Sequence, residues 1–303
     1  MTALRALVKR NTRLYFKDKG MFFTSLITPM ILLVLYGTFL SGVYEDAFRS
    51  SLQAVGISVL DKVLWGCVGG QLVSSLLAVS CVTVSFCSNL LMVQDKVSGA
   101  RRDLMIAPVS PATLALSYYL STLVSTLLIC FAATGMCLIY LACVGWYLSA
   151  LDVFALLLDV ILLVLFGTAL SSCIAFPLST NGQASAVGTI ISSAYGFICG
   201  AYMPISSFPE GLQKAISFLP GTYGTSLLRN HAMRGAFAEL GKAGFPEEAV
   251  QLVRDSVDCN LYFFDHKVPM GGMYGILVGT IVILIALYVV LNRNKHHSRK
   301  ASR

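Results

Sequence analysis

Residues 94–112 read QDKVSGARRDLMIAPVSPA, a charged island bracketed by prolines between two of the most apolar stretches of the chain. Asp95, Lys96, Arg101, Arg102 and Asp103 stand together there, and Pro108 and Pro111 follow. Elsewhere charge is scarce. Charged residues make up 12% of the 303 and hydrophobic ones 56%, whereas a soluble domain carries about 25% charged residues. No charged side chain interrupts 104–151 or 160–209. A bilayer core needs about 20 apolar residues per helix, so each stretch holds two spans, or one span and a re-entrant piece. The composition excludes an ordinary soluble domain and points to an all-α, polytopic membrane protein.

Working outward from the island, apolar runs and their breakers predict six spans, at 21–43, 63–93, 112–144, 153–176, 184–203 and 271–291. The third exceeds what a bilayer requires and must tilt or project. Basic residues then set the orientation. Arg5, Lys9, Arg10, Arg13, Lys17 and Lys19 precede the first span. Lys96, Arg101 and Arg102 lie in the island, and Arg293, Lys295, Arg299, Lys300 and Arg303 follow the last span. The intervening loops carry Glu45, Asp46, Asp61 and Asp152. Cytoplasmic loops collect lysine and arginine, so both termini, the 292–303 tail and the island are expected in the cytoplasm.

The first twenty residues lack a small-residue cleavage site and do not read as a cleaved signal. Leu4, Leu7, Val8, Leu14 and Tyr15 recur at helical spacing opposite the basic residues. The stretch reads as a helix lying in the membrane interface, or else as a plain basic topogenic tail. The segment 204–270 differs from the other loops. Pro204, Pro209 and Pro220 bracket short apolar pieces containing Leu212, Ala215, Ile216 and Leu219, a pattern expected of a hairpin dipping back into the outer leaflet. Residues 235–267 read as charged and soluble, with Pro246, Glu247 and Glu248 opening a short helix.

Three further features bear on function. Ala184, Gly188, Ser192, Gly196 and Gly200 recur every fourth residue, as do Gly271, Gly275 and Gly279. Such stripes let helix backbones approach closely, within one chain or, for the longer stripe, along a seam between two protomers. Asp159 is the lone acid inside the fourth span; it is a functional candidate or a side chain reaching the interface or a neighbouring helix. Eight of nine cysteines lie in apolar runs, none forms a CxxC pair, and only Cys259 sits in polar sequence. No phosphate loop, HExxH or GxSxG occurs, and His296 and His297 belong to a basic tail suited to anionic lipid. No cofactor, metal or nucleic-acid site is expected. Energy for active transport would come from an ion gradient or another chain.

Three stretches together resemble permeases of the ABC-2 family, the membrane subunits of ATP-binding-cassette exporters. They are KDKGMFFTSLITPMILLVLYGTFL, the island VQDKVSGARRDLMIAPVSPATLALSYYLSTLV, and MPISSFPEGLQKAISFLPGTYGTSLLR after the fifth span. The resemblance implies a coupling helix from Lys96 to Met105, next to Asp95 and including Leu104, with Arg101, Arg102 and Asp103 facing an ATPase. Pro108 and Pro111 would stop that helix and redirect the chain. It implies a second ATPase contact on the interfacial helix, with Arg10, Arg13 and Lys17. The path would lie among the first, second and fifth spans of two permeases, along Gly188, Ser192, Gly196 and Gly200. An external gate hairpin would contain Pro204, Pro209, Leu219, Pro220, Tyr223 and Arg229. The implied partners are two copies of a cytoplasmic ATPase carrying ATP and Mg, a second permease and membrane lipid. The implied setting is a bacterial cell membrane, and a hydrophobic or amphipathic cargo fits the apolar spans. An ion-coupled transporter or channel built on Asp159 is the alternative; a membrane enzyme lacks its catalytic set.

Overall fold

The computed structural model describes residues 2–53, 61–264 and 266–301. The chain is almost wholly helical. Helix α1 (Thr2–Lys17) carries its apolar stripe against the bundle and ends at Asp18, whose carboxylate accepts the Met21 N–H and caps α2 (Lys19–Leu35). A π-helical segment, Tyr36–Leu40, joins α2 to the more polar α3 (Ser41–Gln53). The first span therefore continues as helix past its expected end. Residues 54–60 of the next connection lie outside the described residues.

Helix α4 (Asp61–Val97) is the axis of the molecule. It is buried along nearly all of its apolar length, although it carries Gln71, Ser74, Ser75, Ser80, Ser85, Ser88 and Asn89 inside the protein. Small hydroxyl side chains suit such a helix because lipid supplies no hydrophobic drive for helix association. Asn89 donates to Ser171 and Ser172 hydroxyls across the bundle at 3.1 and 3.2 Å. A short α5 (Ala100–Ile106) leads to α6 (Pro111–Val144), with Ser110 as N-cap and Pro111 in the first turn. A Ser149–Asp152 capping box opens α7 (Ala150–Ala175). Around α4 pack α6, α7 and α2, joined by α8 (Asn181–Ile198).

Among the described residues, five helices are long and apolar enough to cross a membrane: Lys19–Phe39, Lys62–Val97, Pro111–Val144, Ala150–Ala175 and Met270–Arg293. The expected fifth span at 184–203 is instead an 18-residue helix that stops at Ile198. Its polar first turn and serines, threonine and glycines leave it short of the others in apolar character.

The larger correction lies beyond α8. After a 3₁₀ turn (Ile205–Ser207) and α9 (Glu210–Ile216), residues Pro220–Lys242 form one continuous helix, α10. It is buried through most of its length and packs on α4 and α7. The expected hairpin and soluble half thus share a helix that belongs to the core, and Gly235 lies against the Tyr147 backbone. Its sequence looks soluble because its polar side chains bond to each other and to the bundle, as described below. Helix α11 (Glu247–Ser256) and the antiparallel pair β1 (Leu261–Phe263) and β2 (His266–Val268) complete this lobe. Helix α12 (Met270–Ala301) packs on α7, α10 and α6 and runs on through the expected tail; residues 302–303 lie outside the described residues.

Candidate functional site

The island folds into two parts with different jobs. Helix α4 continues through Asp95 and Lys96 to Val97, and the chain breaks at Gly99, which adopts φ +84°, a left-handed conformation that costs a side-chain-bearing residue about 1–2 kcal/mol. The exposed helix begins only at Ala100. Asp95 and Lys96 are therefore not part of it, which corrects the expected start at Lys96, and both point inward. Asp95 is buried and accepts from Arg10 of α1 at 2.7 and 3.3 Å and from the Tyr118 hydroxyl of α6 at 2.6 Å. That carboxylate holds the Arg10 guanidinium further above its ordinary value, chiefly through the hydrogen bond. The Lys96 ammonium donates to the carbonyls of Ala175, Phe176 and Leu178 at 3.1, 2.7 and 2.8 Å. It satisfies the open end of α7 and complements the negative end of its dipole.

One turn of α4 thus ties down α1, α6 and α7, and α5 projects just beyond it. No residue of α5 is buried. Arg102, Asp103 and Met105 are exposed, Arg101 and Leu104 are half-buried, and Ile106 is 84% exposed. Ala107 is extended before Pro108, as a residue preceding proline must be, and this ends the helix. On α1, Arg13 and Lys17 are exposed while Arg10 is committed to Asp95.

Towards the opposite end of α4 lie the expected gate residues, of which Tyr223 and Arg229 are buried and Pro209 and Leu219 exposed. Pro204 and Pro209 precede the 3₁₀ turn and α9, Leu219 and Pro220 start α10, and the buried Tyr223 hydroxyl donates to the Ser217 carbonyl at 2.6 Å. Arg229 is 1% exposed. It pairs with Asp258 at 3.0 Å, reaches Ser75 of α4 at 3.3 Å, and donates to the Gly200 carbonyl. Asp258 also accepts the Ile205 N–H at 2.9 Å. Sequence reading missed Asp258, because an acid in a charged segment gives no sign of a buried partner 29 positions away. Neighbouring Cys259 is buried too, and its thiol is pushed up to about 12 by desolvation.

Asp159 is buried and fully engaged. One oxygen meets His231 Nδ1 at 2.6 Å and the other accepts from the Tyr274 hydroxyl at 2.6 Å, so it joins α7 to α10 and α12. This is the neighbouring-helix alternative, with two partners from segments distant in sequence.

The small-residue stripe divides. The groove among α2, the far part of α4 and α8 is lined by Ile27, Ile31, Leu90, Gly188, Ser192 and Tyr202 and has a volume of about 540 Å³. Nothing approaches the position a Gly188 Cβ would take. At Gly196, by contrast, a Cβ would run into the Tyr202 ring, and Gly200 (φ +73°) lies in the turn beyond the helix. Gly196 and Gly200 are therefore packed within the protomer and drop out of the expected seam. Among the described residues, no cluster of three or more metal-ligating groups occurs.

With five helices long and apolar enough to cross a membrane among the described residues, an amphipathic first helix and a projecting α5 in place, one comparison decides the family. Residues 2–232 match the model of the ABC-2 type transporter. The chain belongs to that family. Among curated proteins none matches it. The match runs through α1, the island and α8 and into α10 of this ABC-2 permease, ending just past Arg229 and His231.

Proposed function

We propose that this ABC-2 permease is the membrane half of an ATP-driven exporter. Energy enters through α5, pressed by a separate ATPase subunit that binds ATP and Mg. The observation that carries the reading is the contrast between α5 and its root. No residue of the helix is fully buried, while Asp95 and Lys96, one turn away, grip α1, α6 and α7. A push on Arg101, Arg102 or Asp103 would therefore reach several helices together. Such a lever works when the partner contacts differ between two states of the cycle.

In this reading α8 makes the sixth crossing, its serines and glycines turned toward the groove with α2 and α4. Basic α1 and the island lie in the cytoplasm by the positive-inside rule. Two copies of this permease, or this chain and a related one, face each other across Gly188 and Ser192, with two ATPase copies below. The apolar lining of that groove favours a hydrophobic or amphipathic cargo. Arg13 and Lys17 of α1 supply the second ATPase contact, and the setting is a cell membrane, as in bacterial exporters.

The test is charge reversal. Arg102→Glu with Asp103→Lys is expected to leave thermal stability in detergent unchanged, because both side chains are exposed. It should abolish capture of the cognate ATPase and substrate-stimulated ATP hydrolysis. Retained coupling in that variant would sink the proposal.

A further inference from the structure

Helix α2 has two lateral faces, and only one of them borders the small-residue groove. Ile27 and Ile31 face that groove. Leu26, Pro29, Met30 and Leu33 line a second cavity instead, shared with α6 and of about 380 Å³. Both α2 and α6 pack on α1 and α4. On α6 the cavity wall includes Ala132 and Ala133, whose short side chains leave room opposite Pro29 and Met30. At one end the rings of Phe16 and Phe22 stand 5.8 Å apart. Beside them the Tyr15 hydroxyl bonds Ser25 at 2.7 Å and fixes the joint between α1 and α2. Met30, Leu33, Leu128 and Met136 are exposed on helices long and apolar enough to cross a membrane, so the mouth opens to lipid.

One wall breaks the apolar pattern. Ser80 of α4 lines this cavity and is fully buried, and its hydroxyl has no hydrogen-bond partner among the described residues. Other hydroxyls of the same helix behave differently. Thr83 and Ser85 turn back onto the carbonyls of Val79 and Cys81, at 2.9 and 2.7 Å. Leaving a buried hydroxyl unpaired is costly, and the backbone offers Ser80 the same remedy one turn earlier. Of the buried polar atoms without a partner among the described residues, Ser80 Oγ is the one that belongs to this cavity.

Small-molecule sites have this make-up: a few hundred Å³, apolar and aromatic walls, and very few placed polar groups. We propose that the cavity between α2 and α6 binds a small hydrophobic molecule that carries one hydrogen-bond acceptor, such as an aryl ketone or ester, and arrives through the bilayer. The acceptor takes the hydrogen bond of the Ser80 hydroxyl. The apolar body lies between Phe22 and Met30 of α2 and Ala132 and Met136 of α6. A phospholipid acyl chain would suit the same walls, but it has nothing to accept the Ser80 hydroxyl. Because α2 forms a wall of both cavities, the bound molecule stands behind the small-residue groove without entering it.

The test uses the full-length protein in phosphatidylcholine vesicles and benzophenone, an apolar ketone that inserts into nearby C–H bonds under near-ultraviolet light. Peptide mass mapping reads the adducts. Labelling at Met30 or Met136 is expected to saturate with benzophenone, while labelling at the exposed Ile283 of α12 rises linearly. Ala132→Phe, at an exposed position on the cavity wall, should abolish the saturable part and leave the melting temperature unchanged. Ser80→Ala should raise the half-saturating concentration about three- to tenfold, the worth of one buried hydrogen bond. Saturable labelling that either substitution leaves unchanged overturns the proposal. Linear labelling at Met30 and Met136 also overturns it, and assigns the cavity to lipid acyl chains.

Discussion

Arg229 shows how much of this protein depends on single polar contacts inside apolar surroundings. Its guanidinium is tied to Asp258, Ser75 and Gly200 in a place where a lone charge is expensive. Arg229→Met would strand Asp258 without a counter-charge, at a cost of ~3–5 kcal/mol for a broken buried pair. The expected outcome is a large drop in detergent melting temperature. Arg229→Met combined with Asp258→Asn should recover most of it, since the stranded charge is gone and an acceptor for Ile205 remains. At Cys259 the expectation is chemical. A thiol raised to about 12 holds almost no thiolate at pH 8. Only as pH climbs toward that value, or the fold opens, does the reactive form appear. Maleimide at pH 8 should leave Cys259 unmodified in the folded protein and label it in denaturant, as read by peptide mass mapping.

At the scale of elements, α8 separates two meanings of one pattern. Gly188 faces open groove and Gly196 faces the Tyr202 ring, although both occupy the same small-residue stripe. Gly196→Ala should cost stability, by about 1–3 kcal/mol for an overpacked site. Gly188→Ala should fold normally and act only where the groove is used, on transport or on permease association. Melting curves and cross-linking of the two variants check this. Helix α5 is the opposite case. Its charge and its two prolines were legible as a stopped, projecting helix. The division of labour at Gly99 was not, because Asp95 and Lys96 look like further charges of the same island until α1, α6 and α7 surround them.

For the whole molecule, Asp159 discriminates between an ATP-driven permease and an ion-coupled one. Its bonds to His231 and Tyr274 hold α7, α10 and α12 at one level. If that tie is structural, Asp159→Asn keeps similar shape and hydrogen-bonding capacity, and ATP-driven transport in vesicles persists. Asp159→Leu should weaken the fold by removing two buried bonds at about 1–3 kcal/mol each. Loss of transport in Asp159→Asn with unaltered melting and ATPase capture would instead restore the ion-coupled reading. The expected helical membrane architecture had physical grounds in the sequence, since bilayer thickness demands long apolar runs whatever they pack against. Helix α10 escaped the same logic. A helix walled in by other helices meets no lipid, so Asn230, His231 and Arg229 can line it once partners are present, and no apolar run advertises it.

The sequence by itself determined that the chain is a helical membrane protein, which segments carry positive charge, and that a short charged stretch with proline limits interrupts the apolar runs. Those properties follow from local composition, because transfer to lipid and helix termination are decided residue by residue. Only the tertiary structure decided which charges are anchors and which are presented. Asp95, Lys96, Asp159, Arg229 and Asp258 are tolerated in an apolar interior through partners from distant parts of the chain. Arg102 and Asp103 stay exposed beside them.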